Sequence, residues 1–253
     1  MTTVLMELRN RSALDVLLDS LRLPNIPVHP DDIADRLGIG VEIGQTSATH
    51  EGELSRVGQR YVIRVAPAAG AVWPDGFSSR QRFSIAHELA HYFQLTRQHV
   101  MPTDAPSIER KCDVVASQIL LPHAAVSSQI RLVPSDRLAS AIAFVADEAW
   151  VSDEVSARRW IAGRDCGVWK YSSLGSVPGV RLGWHVGKPG RGVDQAHLDA
   201  AVMSSDPFAH LNGLTGSGVA WSVTARPSGF LVTAEDREAS EQFVSESSSG
   251  VKG

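Results

Sequence analysis

The chain has 253 residues, of which 43% are hydrophobic and 21% charged, with a formal net charge of -4. This composition supports a sizeable core and excludes wholesale disorder, collagen-like repeats and low-complexity classes; the charge balance argues against a strongly basic nucleic-acid binder. No run of about 18 apolar residues is present to span a bilayer. The opening residues lack a basic segment followed by an apolar one and a cleavage site, and Cys112 and Cys166 form no CxxC pair. Both observations fit the reducing cytoplasm.

The first helix is expected over 12–21, where apolar residues recur at spacings of three and four, and Pro24 and Pro27 end it. A short helix follows at 30–37, stopped by Gly38. Residues 41–43 alternate like a strand, and 52–56 and 60–65 flank a short Gly-containing turn, the pattern of a hairpin. After a Pro- and Gly-rich connection, Ser78 stands three residues before Gln81, a capping box that opens a helix through Phe93. That helix is apolar nearly all round and is expected to be buried. Next comes a helix over 107–121, with Ser107 as its cap and Pro122 as its stop. Helices are expected at 139–145 and 153–161. From there the character changes, with strands at 167–172, 180–186, 218–225 and 229–233, a turn over 226–229, and a helix over 194–204. The tail from Glu235 is acidic and Ser-rich and is expected to fray.

The chemistry concentrates in His87-Glu88-Leu89-Ala90-His91. Residues four apart lie on one helix face, so two imidazoles can aim at one ion, and zinc suits nitrogen donors. Glu88 is rotated about 100° away, where it reaches a metal-held water rather than the metal. This is the H-E-x-x-H arrangement of metallopeptidases. Histidines and a glutamate buried without a role are costly to desolvate, which weighs against a purely structural reading. A catalytic zinc needs a third protein ligand. His99 is one candidate, but the longer H-E-x-x-H-x-x-G-x-x-H pattern fails at Gln94 and Arg97. Glu109 is the better one, because an antiparallel second helix can bring it back over the histidines. It is also a residue that a helix N-terminus favours without any ligand. Asp113, one turn on, can be a fourth contact or an acceptor for a histidine N–H. Tyr61, Tyr92 and His99 are candidate donors to an oxyanion, and each has a structural reading as well. Strand 60–65 is a candidate to pair with an extended substrate. Cys112 falls on the same stripe and reads first as a small core residue.

Two blocks resemble the ImmA/IrrE family of zinc metallopeptidases: Arg80 to Phe93, around the paired histidines, and Glu109 to Pro122. The short helix before Gly38, the hairpin, and residues 144–160 with Val151-Ser152 also resemble the family, so the likeness covers about 1–162. It implies an α+β fold with a zincin-like metallopeptidase core, one zinc ion per chain held by His87, His91 and Glu109, and Glu88 as the catalytic carboxylate. It further implies cleavage or inactivation of a helix-turn-helix repressor, relieving repression of a mobile element, a phage or a stress response. Radiation-response members carry a GAF-like sensor domain. The expected organisation is a zincin-like domain over 1–125, a helical segment over 126–163, a small β-rich unit over 164–234 that reads as a reduced sensor, and a flexible tail over 235–253.

Two rival readings stand beside the peptidase. One is a non-catalytic, zinc-binding antirepressor. The other is a DNA-binding stress regulator acting through 126–162, where Arg131, Arg137, Arg158, Arg159 and Arg164 are offset by Asp136, Asp147, Glu148, Asp153 and Glu154.

Overall fold

The computed structural model describes residues 26–47, 51–96, 105–122, 125–126, 133–134, 137–161, 166–173, 180–187, 210–214, 219–226 and 229–236. The helices expected at 12–21 and 194–204, His99, and the chain beyond Asp236 lie outside these residues. Contacts divide the chain into two compact units: 1–125 with 148–152, and 126–147 with 153–253.

In the first unit, α1 (Pro30–Arg36) starts with a proline at its first position and carries Asp31 and Asp32 in its first turn. Both features suit a helix N-terminus, where a missing N–H costs nothing and the dipole favours acids. Strands β1 (Gly40–Ile43), β2 (Gly52–Val57) and β3 (Arg60–Val65) form a sheet of order β1-β3-β2. The hairpin is as expected, with Gly58 at φ 64° in its turn, a conformation that glycine adopts without strain. The pairing of β1 with β3 is parallel and makes β3 the central strand. This corrects the expectation that strand 60–65 is free to pair with a substrate, since both of its edges are taken.

Helix α2 (Ser79–Thr96) follows the capping box. The Ser78 N–H donates to Gln81 Oε1 at 2.9 Å, and the Gln81 N–H donates to Ser78 Oγ at 3.2 Å. The helix is not apolar all round. It buries Gln81, Arg82, Ser84 and Glu88 beside Ile85, Ala86, Leu89 and Ala90, and leaves Leu95 exposed. Buried polar groups persist there because they find partners. Arg82, fully buried, pairs with Asp75, donates to the Val28 carbonyl, and lies 5.4 Å from the ring centre of Trp150. Trp150 in turn stacks on Trp73 at 5.7 Å and meets His29 edge to face. Helix α3 (Ala105–Leu120) packs on α2 and starts two residues before the expected 107. Pro106 sits in the first turn, where proline is tolerated, so Ser107 lies inside the helix and not at its cap.

In the second unit, α4 (Leu138–Glu148) and α5 (Asp153–Ile161) precede five antiparallel strands: β4 (Cys166–Ser173), β5 (Val180–Gly187), β6 (His210–Leu214), β7 (Val219–Arg226) and β8 (Gly229–Asp236). Their order is β5-β4-β8-β7-β6. Strand β6 is not foreseen from sequence, and β8 continues through Glu235 and Asp236, which were expected in the fraying tail. Ser156 Oγ donates to the Ile142 carbonyl at 2.8 Å, tying α5 to α4. The Ala139 N–H donates to Ser222 Oγ at 3.0 Å, tying α4 to β7. Among the described residues no helix is long and apolar enough to cross a membrane.

Candidate functional site

Helix α2 supplies His87, Glu88 and His91, and α3 supplies Glu109, Cys112 and Asp113. The helical spacing stacks the two imidazoles on one face, with ring centroids 4.8 Å apart. Their Nε2 atoms approach to 3.1 Å. The Glu109 carboxylate meets the same pair, 3.1 Å from His87 Nε2 and 3.5 Å from His91 Nε2. On the far side of the ring, His87 Nδ1 lies 3.0 Å from Asp113 Oδ1. A carboxylate there accepts the Nδ1–H, so in the neutral ring His87 Nε2 carries a lone pair.

Lone pairs and a carboxylate facing one another repel unless a proton or a metal ion stands between them. A four-coordinate zinc with nitrogen and oxygen ligands at about 2.0–2.1 Å separates its ligand atoms by about 3.3 Å. The observed separations of 3.1 to 3.5 Å bracket that value. The donor set thus fits a zinc-type ion. His91, His87 and Cys112 also lie close enough to share an ion, but Cys112 Sγ is 3.4 Å from His91 Nδ1, the nitrogen opposite the one that faces Glu109. Burial, with the charge of Glu109, pushes the Cys112 thiol up to about 12, and Gln94 Nε2 donates to its sulfur at 3.1 Å.

Glu88 is buried one residue along the helix. Burial raises its carboxyl above the ordinary carboxylate value, while the charges of His91 and His87 and the N–H of Leu54 hold it back. Burial opposes a positive charge on His87, but the hydrogen bond and charge of Asp113, with Glu88 and Glu109, outweigh it and raise the imidazole above its ordinary value. These groups open into a cleft of about 480 Å³ lined by Gly52, Leu54, Gln94, Leu95 and Ile108 besides the polar residues. Gly52 lets the strand approach the helix closely here. A Cβ at that position would come within 3.2 Å of Glu88 Oε1 and of Ser84 Cβ.

Of the residues singled out in the sequence, His87, Glu88, His91, Glu109 and Asp113 come together. Tyr61 and Tyr92 pack on each other edge to face at 5.2 Å and are not among the cleft-lining residues. Sequence reasoning missed Gln94, Gly52 and the Leu54 N–H. Gly52 opening a strand is the one local signal that pointed there.

Residues 77–160 match the family model described as the IrrE N-terminal-like domain, a peptidase family. This segment belongs to the ImmA/IrrE family. The match spans α2, α3, α4 and nearly all of α5, so it contains every site residue named above except Gly52 and Leu54. No curated protein matches the chain. A solved structure described as a Mycobacterium tuberculosis transcriptional regulator shares the fold, with a TM-score of 0.55 at 15% identity, covering 92% of this chain and 90% of that one.

Proposed function

We propose that the chain is a cytoplasmic zinc-dependent endopeptidase that hydrolyses a peptide bond in one regulatory protein. The family likeness implies a helix-turn-helix repressor as the substrate class. The observation that carries the reading is the convergence of His87 Nε2, His91 Nε2 and the Glu109 carboxylate within 3.1 to 3.5 Å, at a cleft that also holds Glu88. His87, His91 and Glu109 would hold the zinc, which when bound supplies a Lewis acid that acidifies water and polarises a carbonyl.

Glu88 takes the proton of the attacking water and returns it to the departing amine nitrogen. Its raised pKa makes it a better proton acceptor than an ordinary carboxylate. The Leu54 N–H fixes the carboxylate by a hydrogen bond, and burial excludes bulk water from it. Asp113 holds the His87 ring by its Nδ1. Strand β2 offers the edge that β3 lacks. The Ala66 N–H donates to the Glu51 carbonyl on the β3 side, and alternation turns the main-chain groups of Gly52 and the carbonyl of Leu54 outward, at the cleft, the Leu54 N–H being taken by Glu88. An extended substrate segment can add to that edge.

The solved chain of like fold is described as a transcriptional regulator, which accords with a role in gene control. In the second unit the first and last strands, β4 and β8, pair at the centre of the sheet. That closure supports reading 164–234 as one unit, and we propose that it is a reduced sensor domain that conditions the peptidase.

Terminal-peptide profiling of host lysate treated with the wild-type chain and with Glu88→Gln tests the reading. The expected result is a new cut in a helix-turn-helix protein that vanishes with Glu88→Gln. Zinc bound without any Glu88-dependent cut would overturn the peptidase in favour of the binding-only antirepressor. Salt-dependent DNA binding without cleavage would favour the DNA-binding regulator.

A further inference from the structure

The two histidines are held by adjacent residues of α3. Asp113 faces His87 Nδ1 at 3.0 Å, and Cys112 faces His91 Nδ1 at 3.4 Å. The first is an ordinary carboxylate support for a metal histidine. The second is a buried thiol, itself in contact with Gln94, one turn beyond the histidines on α2. We propose that Cys112 and Gln94 form a positioning pair that fixes the tautomer and orientation of His91, so that its Nε2 is free for the metal.

The proton count leads to this assignment, which rests on the metal reading of His87, His91 and Glu109. A metal at His91 Nε2 requires the ring proton on Nδ1, so the Nδ1–H must have an acceptor. Among the described residues the atom within reach of Nδ1 is Cys112 Sγ, which therefore receives it. The thiol then needs an acceptor of its own for S–H. Gln94 supplies one. Its Oε1 is buried without a partner, while its Nε2 lies 3.1 Å from the sulfur. A half-turn of the amide exchanges the two atoms, which diffraction itself distinguishes poorly, and places Oε1 against the thiol. The chain of donors then runs His91 Nδ1–H to Cys112 Sγ, and Cys112 S–H to Gln94 Oε1. In this chain the Nδ1–H and the S–H each find an acceptor, and the tautomer that allows it leaves His91 Nε2 as a lone pair. The reverse arrangement, with S–H donating to Nδ1, protonates Nε2 and blocks the metal.

Cobalt(II) binding to the full chain tests this, with absorption spectra recorded for wild type, Cys112→Ala, Cys112→Ser and Gln94→Ala. Expected is an affinity loss of about tenfold in Cys112→Ala and a smaller loss in Gln94→Ala, within the range usual for groups that support a metal histidine. Cys112→Ser, whose hydroxyl accepts and donates in the same places, restores affinity to within about threefold. The wild-type spectrum shows cobalt ligand-field bands and no thiolate-to-cobalt charge transfer. A charge-transfer band lost in Cys112→Ser would make Cys112 a ligand and overturn the proposal. So would equal affinity in wild type and Cys112→Ala, which leaves the thiol a packing group. If wild type and His91→Ala bind cobalt alike, or neither binds it, the metal reading itself fails and this proposal falls with it.

Discussion

Helix α2 carries two buried polar clusters five residues apart, and they are built on opposite plans. Around Arg82 the charges are matched. The guanidinium has Asp75, the Val28 carbonyl and the face of Trp150, and Trp73 and His29 pack on Trp150 in turn. Around His87 the groups are mismatched. Two Nε2 atoms and a carboxylate converge on one point, at a cleft, beside a glutamate whose burial raises its carboxyl above the ordinary carboxylate value. The first cluster leaves only Arg82 Nε without a hydrogen-bond partner and serves to hold the helix start against the segments around Val28 and Trp150. The second is complete only with something added, which is the mark of a site.

Substitution separates the two plans most sharply. Arg82→Met leaves the Asp75 carboxylate buried without its main partner and is expected to cost about 3–5 kcal/mol of stability, read by denaturant unfolding of the metal-free chain. Glu88→Gln, measured the same way, removes a charge that burial disfavours and is expected to leave stability unchanged or slightly raised. Equal losses in both would erase the distinction.

A smaller effect lies in the pH dependence of the metal-free chain. The native His87 pKa is raised, so its stabilisation is fully present below the ordinary histidine value of 6.5 and is lost as pH climbs through the native value. Glu88 is raised as well, so its share has the same sign, in a lower window that begins near 4.5. Stability of the metal-free chain is therefore expected to decline from weakly acid to neutral pH. Saturating zinc reverses the trend, because the ligands must be deprotonated to bind it. Thermal unfolding across pH 5 to 8, with and without zinc, checks both signs; a flat profile in the metal-free chain would contradict the His87 assignment.

Much of this was legible in the sequence where the signal is local. The four-residue spacing of His87 and His91, the Ser78–Gln81 box and the hairpin around Gly58 are set by near neighbours, and each appears as expected. The losses are long-range. The parallel return of β1 onto β3 joins residues about 20 apart and is invisible to alternation, yet it decides which strand has a free edge. Strand β6, His210-Leu211-Asn212-Gly213-Leu214, lacks β-branched residues and contains a glycine, so its strand character comes from pairing with β7 alone. Arg82 reads as a polar residue on an apolar helix, and only the fold brings Asp75 and Trp150 to it. Cys112 has the size of a core residue and is one; its contact with His91 depends on how α3 packs on α2.

The most direct measurement is the anomalous scattering of a zinc-loaded crystal at the zinc absorption edge. The account predicts one peak per chain within bonding distance of His87 Nε2, His91 Nε2 and a Glu109 carboxylate oxygen, with Cys112 Sγ outside it. A peak on Cys112 Sγ, or none at the paired histidines, would contradict it.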